Sequence, residues 1–158
     1  MPLVPPHDIA EGGIVMKDEN VTVRCALVYL PPVTSAFAYR FDFAGRSIVI
    51  SRDTRRSEEL TRLAKGADVL VHEALFPSAV ERLVAPLPNA DALQKSILSH
   101  HTPVDEVGRV AEAADVKTLV LSHFVPPEDS AINEQMWIDA ARTTFKGTIV
   151  AGRDLLEI

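Results

Sequence analysis

Four short apolar runs, RSIVIS, ADVLVHEA, VKTLVLSH and GTIVAG, alternate with segments of helical character from residue 46 to the end of the chain. Runs this short and β-branched read as buried strands, and strands separated by helices restrict the chain to a layered α/β architecture with helices packed on a sheet. The helical segments carry their own punctuation. Ser57 caps EELTRLAK, whose first turn holds Glu58 and Glu59 at the positive end of the helix dipole, and Gly66 closes it. Residues 76 to 98 read as two short helices around PLPNAD, with Asn89 or Asp91 as the second cap. Thr102, Pro103 and Asp105 start the helix VDEVGRVAEAA, and Ser130 to Phe145 is helical, with Ile132, Met136, Ile138 or Trp137, and Ala140 turned inward. DLLEI reads as a last strand.

The first half reads differently. Prolines and glycines up to about Gly13 mark an irregular start, and residues 1–19 are expected to be a connector to a unit spanning 20–158. NVTVRCALVYL is a strand broken by PPVTS, and residues 36 to 51 form a hairpin around the turn Ala44-Gly45. With 158 residues, 47% hydrophobic and 24% charged, the chain is long and apolar enough to bury a core. A net charge of -6 argues against nucleic-acid binding by bulk electrostatics. The run Arg52, Arg55 and Arg56 is a local exception, read either as a phosphate contact or as a solvated helix start. The single cysteine, Cys25, lies in an apolar run and excludes an intrachain disulfide. No apolar stretch reaches the roughly 18 residues of a membrane span, and no signal peptide is visible, so the expected location is the cytoplasm.

Chemistry concentrates where strands end: Asp53 after RSIVIS, His72 and Glu73 in VLVHEA, His100 and His101 in ILSHHTP, and His123 in LVLSHF. Each has a structural reading: Asp53 as a helix cap, His123 as a hydrogen-bonded strand end, His72 and Glu73 as a polar turn. His101 stands before a helix start, where the dipole favours the neutral imidazole, and a carboxylate such as Glu73 can orient it for proton transfer. No H-x-H, H-x-x-H or H-E-x-x-H pair occurs, although a hydrolytic zinc takes about three protein ligands. A serine hydrolase built on Ser99 or Ser122 lacks the G-x-S-x-G elbow.

In their joint order, SRDT at 51–54, His72-Glu73-Ala74, His101-Thr102 and Ser122-His123-Phe124 make the chain, from about Asn20 to Ile158, resemble the C-terminal half of metallo-β-lactamase-fold hydrolases, in particular the ribonuclease Z-like branch. The resemblance implies an αββα sandwich of which this chain forms half. It implies metal ligation by Asp53 (from the S-G-D-T segment) and His123, with two zinc ions in the intact site. It also implies proton transfer by Glu73 and His101, the former from the H-E-A-T loop. Arg52 departs from the glycine of S-G-D-T, and residues 1–52 contain nothing like the family's H-x-H-x-D-H motif, His7 being the only histidine there. The function expected is hydrolysis, through a metal-activated water, of a phosphodiester or other ester-like bond in a small molecule or RNA-like substrate, with part of the site on this chain. The alternative is a non-catalytic remnant or interaction module that self-associates or pairs with a complementing N-terminal half.

Overall fold

A computed structural model describes residues 8–158 and shows seven strands in one sheet, in sequence order β1 to β7. β1 (Gly13–Lys17), β2 (Val21–Leu30), β3 (Val33–Phe43) and β4 (Arg46–Ile50) form an antiparallel meander. β5 (Val69–Leu75), β6 (Thr118–Val125) and β7 (Thr148–Ala151) continue it in parallel. The crossovers that parallel pairing demands are helices: α1 (Glu58–Leu63), then α2 (Pro77–Val84), α3 (Ala90–His100) and α4 (Val104–Ala114), and finally α5 (Glu134–Arg142). The β3–β4 turn places Ala44 and Gly45 at φ 47° and 72°, the left-handed pair that matches strand twist in a two-residue hairpin.

One face of the sheet carries the core. Ala38, Val49, Leu70, Leu119 and Leu121 pack against Leu60, Val107, Val110, Trp137 and Phe145 from the helical layer. Helices α4 and α5 touch closely at Gly108, where a Cβ would collide with Thr144 Oγ1 and the Ala141 carbonyl. On the opposite face the alternation leaves Leu27, Tyr29 and Ile50 partly exposed.

Several local expectations change. The connector expected over 1–19 includes strand β1, which pairs with β2, while residues 1–7, His7 among them, lie outside the described residues. DLLEI is a turn and not a strand. Helix α5 starts at Glu134, capped by Asn133, whose side chain accepts from Met136 N at 3.0 Å. Trp137 and Ala141 are buried and Ile132, Ile138 and Ala140 pack part-buried against the core, so of the residues expected to face inward only Met136 is exposed. Ser57 caps α1 as expected, whereas Asn89, at φ 61°, precedes α3 without a capping hydrogen bond.

At the opposite end of the parallel strands from the histidines, Asp68 ties three segments together. Its Oδ1 meets Lys117 Nζ at 2.6 Å and its Oδ2 accepts from Ser47 N at 2.7 Å. Lys117, then the Ser47 N–H, hold its pKa down at about 2, from 3.8. A depressed folded-state pKa stabilises above the unfolded value and is lost as pH falls through the folded one. The stability gap between the native chain and Asp68→Asn is therefore expected to be full above 3.8 and to close toward pH of about 2. Denaturant melts across that range check it, and a gap independent of pH contradicts it.

Candidate active site

Each chemical group reaches the site from a different segment. After β4, Arg52 adopts φ 56°, a left-handed conformation that favours glycine, at the turn that carries the chain from the end of the strand to Asp53. His123 also has positive φ, 42°, near the end of β6. Strain held at two neighbouring segments is the kind of cost that surrounding structure sustains at functional sites. Between them the Asp53 carboxylate (Oδ1) and His123 Nδ1 are in direct contact. Asp53 is therefore not a helix cap; Ser57 fills that role, accepting from Leu60 N at 3.2 Å.

Glu73 lies within β5, 3% exposed, at the point where the β5–β6 register shifts. Burying a carboxylate here requires partners. Its Oε1 accepts from Thr102 N at 2.7 Å, and its own N–H donates to Ser51 Oγ at 3.2 Å. Oε2 approaches His101 Nδ1 at 3.3 Å, a charge contact whose alignment falls short of a hydrogen bond. The Glu73 interaction, reinforced by its charge and that of Asp53, raises the His101 pKa against the opposing effect of burial. His101 caps the end of α3, three positions before α4 begins at Val104, so the Glu73 carboxylate and the start of α4 bear on the imidazole in opposite directions. The His101 and His123 rings meet edge to face at 5.7 Å, joining the two pairs into one cluster.

His72 is not a polar turn either. It is fully buried in β5, its Nδ1 2.7 Å from the Glu73 carbonyl, and burial lowers its pKa. His100 ends α3 and makes none of these contacts. Residue types alone did not single out Ser51 and Thr102. Both are buried, and the Thr102 hydroxyl donates to the Thr54 carbonyl at 2.6 Å while its N–H holds Glu73. Their signal was position, since each flanks a histidine or aspartate in the short motifs.

Asp53 and His123 offer an oxygen and a nitrogen donor of the kind zinc takes, but two fall short of the roughly three of a catalytic centre. Among the described residues no group of three or more His, Cys, Asp or Glu is arranged to hold a metal ion. The described residues do not by themselves make a complete metal centre.

A putative ribonuclease Z of Mycobacterium tuberculosis (strain CDC 1551 / Oshkosh) is 35% identical over 153 residues, which cover 96% of this chain and 65% of that protein. Ribonuclease Z of strain H37Rv matches at 35% over 153 residues and 54% of its length. The metallo-β-lactamase fold protein YhfI of Bacillus subtilis superposes with a TM-score of 0.62, at 21% identity over 85% of this chain and 48% of that one. The chain has the metallo-β-lactamase fold and is homologous to ribonuclease Z. The short form of human tRNase Z shares the fold at a TM-score of 0.59 and 18% identity, covering 92% of this chain and 44% of that one. This ribonuclease Z homologue thus spans about half to two thirds of the length of the curated relatives it matches. No protein-family model matches it. Among the described residues no helix is long and apolar enough to cross a membrane.

Proposed function

We propose that the chain supplies part of the active site of a cytoplasmic, metal-dependent hydrolase acting on RNA or another phosphodiester or ester-like bond. The observation that carries this reading is the convergence of Asp53 with His123 and of Glu73 with His101 at one end of the sheet, in a homologue of ribonuclease Z. Asp53 and His123 are the metal ligands of the proposal and zinc is its metal, the remaining donors coming from outside the described residues. Residues 20–158 are the unit that carries the site.

The side chains themselves set the proton chemistry. Glu73 favours the protonated form of His101, which suits it to give a proton to a leaving-group oxygen, a task that needs a charged imidazole within reach of the scissile bond. The Thr102 N–H holds the Glu73 carboxylate, while Ser51 Oγ accepts from the Glu73 backbone N–H. Glu73 and His101 are thus the catalytic acid pair of the proposal.

A second reading, an interaction module that pairs with a complementing half or with itself, has one observation in its favour. The face of the sheet opposite the main core presents Leu27, Tyr29 and Ile50, the kind of apolar area that a partner covers. Metal analysis and hydrolysis of a generic phosphodiester by the purified chain separate the two. Stoichiometric metal with turnover supports the hydrolase; a metal-free, oligomeric and inactive product supports the module.

A further inference from the structure

We propose that His72 is a positioning residue: acting through the Glu73 peptide group, its imidazole fixes the direction in which the Glu73 carboxylate faces His101. The inference rests on the hydrolase reading and adds to it a fully buried residue that works at one remove from the chemistry. By strand alternation His72 points to the same side of β5 as Leu70, into the main core. A histidine is an odd choice for that place, and the β5–β6 ladder gives the reason for it. Glu73 pairs with Ser122 and Ala74 with Phe124, so His123, at φ 42°, is an extra residue on β6 and the ladder is interrupted beside Glu73. Bulges of this kind re-aim a side chain and disrupt the ladder locally. At that interruption His72 Nδ1 lies 2.7 Å from the Glu73 carbonyl.

Because a carbonyl only accepts, Nδ1 carries the proton and Nε2 is a bare acceptor. Burial lowers the pKa of the ring and so favours this neutral, single-donor form. Nε2 itself is buried and has no hydrogen-bond partner among the described residues. Stability does not account for such a group, since an apolar ring of similar shape would leave no acceptor unpaired there. What the other nitrogen does accounts for it. Glu73 is held at three points: its N–H donates to Ser51 Oγ at 3.2 Å, its carbonyl accepts from His72, and its Oε1 accepts from Thr102 N at 2.7 Å. With the backbone fixed on both sides and one carboxylate oxygen taken, Oε2 is left 3.3 Å from His101 Nδ1. Releasing the carbonyl frees the peptide plane and with it the base of the side chain, and a displacement of about 1 Å at a reacting group costs roughly 10²-fold in rate.

The test compares His72→Phe with His72→Asn. Phenylalanine keeps a planar ring and removes both nitrogens; asparagine keeps a donor, Nδ2, where Nδ1 stands, but leaves a smaller, polar side chain in the core. In a preparation that hydrolyses RNA, His72→Phe is expected to lower kcat about 10–100-fold at unchanged KM, with a denaturant midpoint equal to or above the native one. His72→Asn is expected to melt earlier and yet to keep a kcat closer to native. A kcat that follows stability across the two variants overturns the assignment. Amide hydrogen exchange reads the same hold on the chain itself. In His72→Phe the Thr102 N–H, which Glu73 Oε1 accepts, is expected to exchange at least about tenfold faster relative to the Val107 N–H, which the Pro103 carbonyl accepts. An equal change at both amides, as a purely structural role gives, or no change at Thr102 also overturns it. Should His72→Asn fail to fold, His72→Phe and the exchange ratio decide the matter. Failure of the hydrolase reading shows elsewhere, as metal content and turnover that ignore Asp53→Ala, so the two failures are distinguishable.

Discussion

Replacing Glu73 with glutamine is expected to slow hydrolysis by about 10²–10⁴-fold, the usual contribution of a positioned acid–base group, while leaving the fold intact. The amide keeps an oxygen for Thr102 N, so the 2.7 Å hydrogen bond that Glu73 Oε1 accepts survives. What is lost is the negative charge beside His101, and with it the main influence raising the imidazole pKa. His101→Ala is expected to cost a similar factor, and the double variant little more than either single one, because groups acting as a unit do not add. Glu73→Ala differs in kind: it strands a buried N–H and is expected to cost about 1–3 kcal/mol of stability as well. Initial rates on one phosphodiester, measured beside denaturant melts, separate the two effects. Additive losses in the double variant would contradict a paired role.

The largest stability loss is expected at Leu70. It is fully buried in β5, paired in register with Val49 on β4 and Leu119 on β6, and belongs to the main core cluster. Leu70→Ala removes a side chain from a place where strands on both sides limit collapse, and such changes cost about 2–5 kcal/mol. Leu27→Ala is the control, since Leu27 is 36% exposed on the face opposite the main core. Its cost should be well under half that of Leu70→Ala, read as the shift in denaturant midpoint. Equal costs would mean that a partner covers that face in solution, which favours the interaction-module reading.

The parallel half of the fold was legible because each of its strands is a compact β-branched run whose preference agrees with its burial. β1 was not, because GIVMK is exposed along its whole length and owes its shape to pairing with β2, a tertiary cause with no local signal. DLLEI failed in the opposite way: it carries strand-like residues, but its chain turns at Asp154-Leu155. The site shows the same division. Asp53, Glu73, His101 and His123 were visible as chemistry at strand ends, but the competing cap reading of Asp53 fell only when His123, 70 residues away, was placed against it. The dipole argument at His101 is local, while the carboxylate that acts on it in the opposite direction sits 28 residues earlier, buried in another strand. Arg52 was recognised as a substitution for glycine, and its φ of 56° shows what that glycine position demands of the backbone.

The most direct test of the account compares Asp53→Ala with Glu73→Gln in a preparation that hydrolyses RNA, measuring bound metal and turnover on the same samples. The account predicts that Asp53→Ala loses both metal and turnover, whereas Glu73→Gln keeps its metal and loses turnover. Metal retained in full by Asp53→Ala, or metal lost by Glu73→Gln, would contradict it.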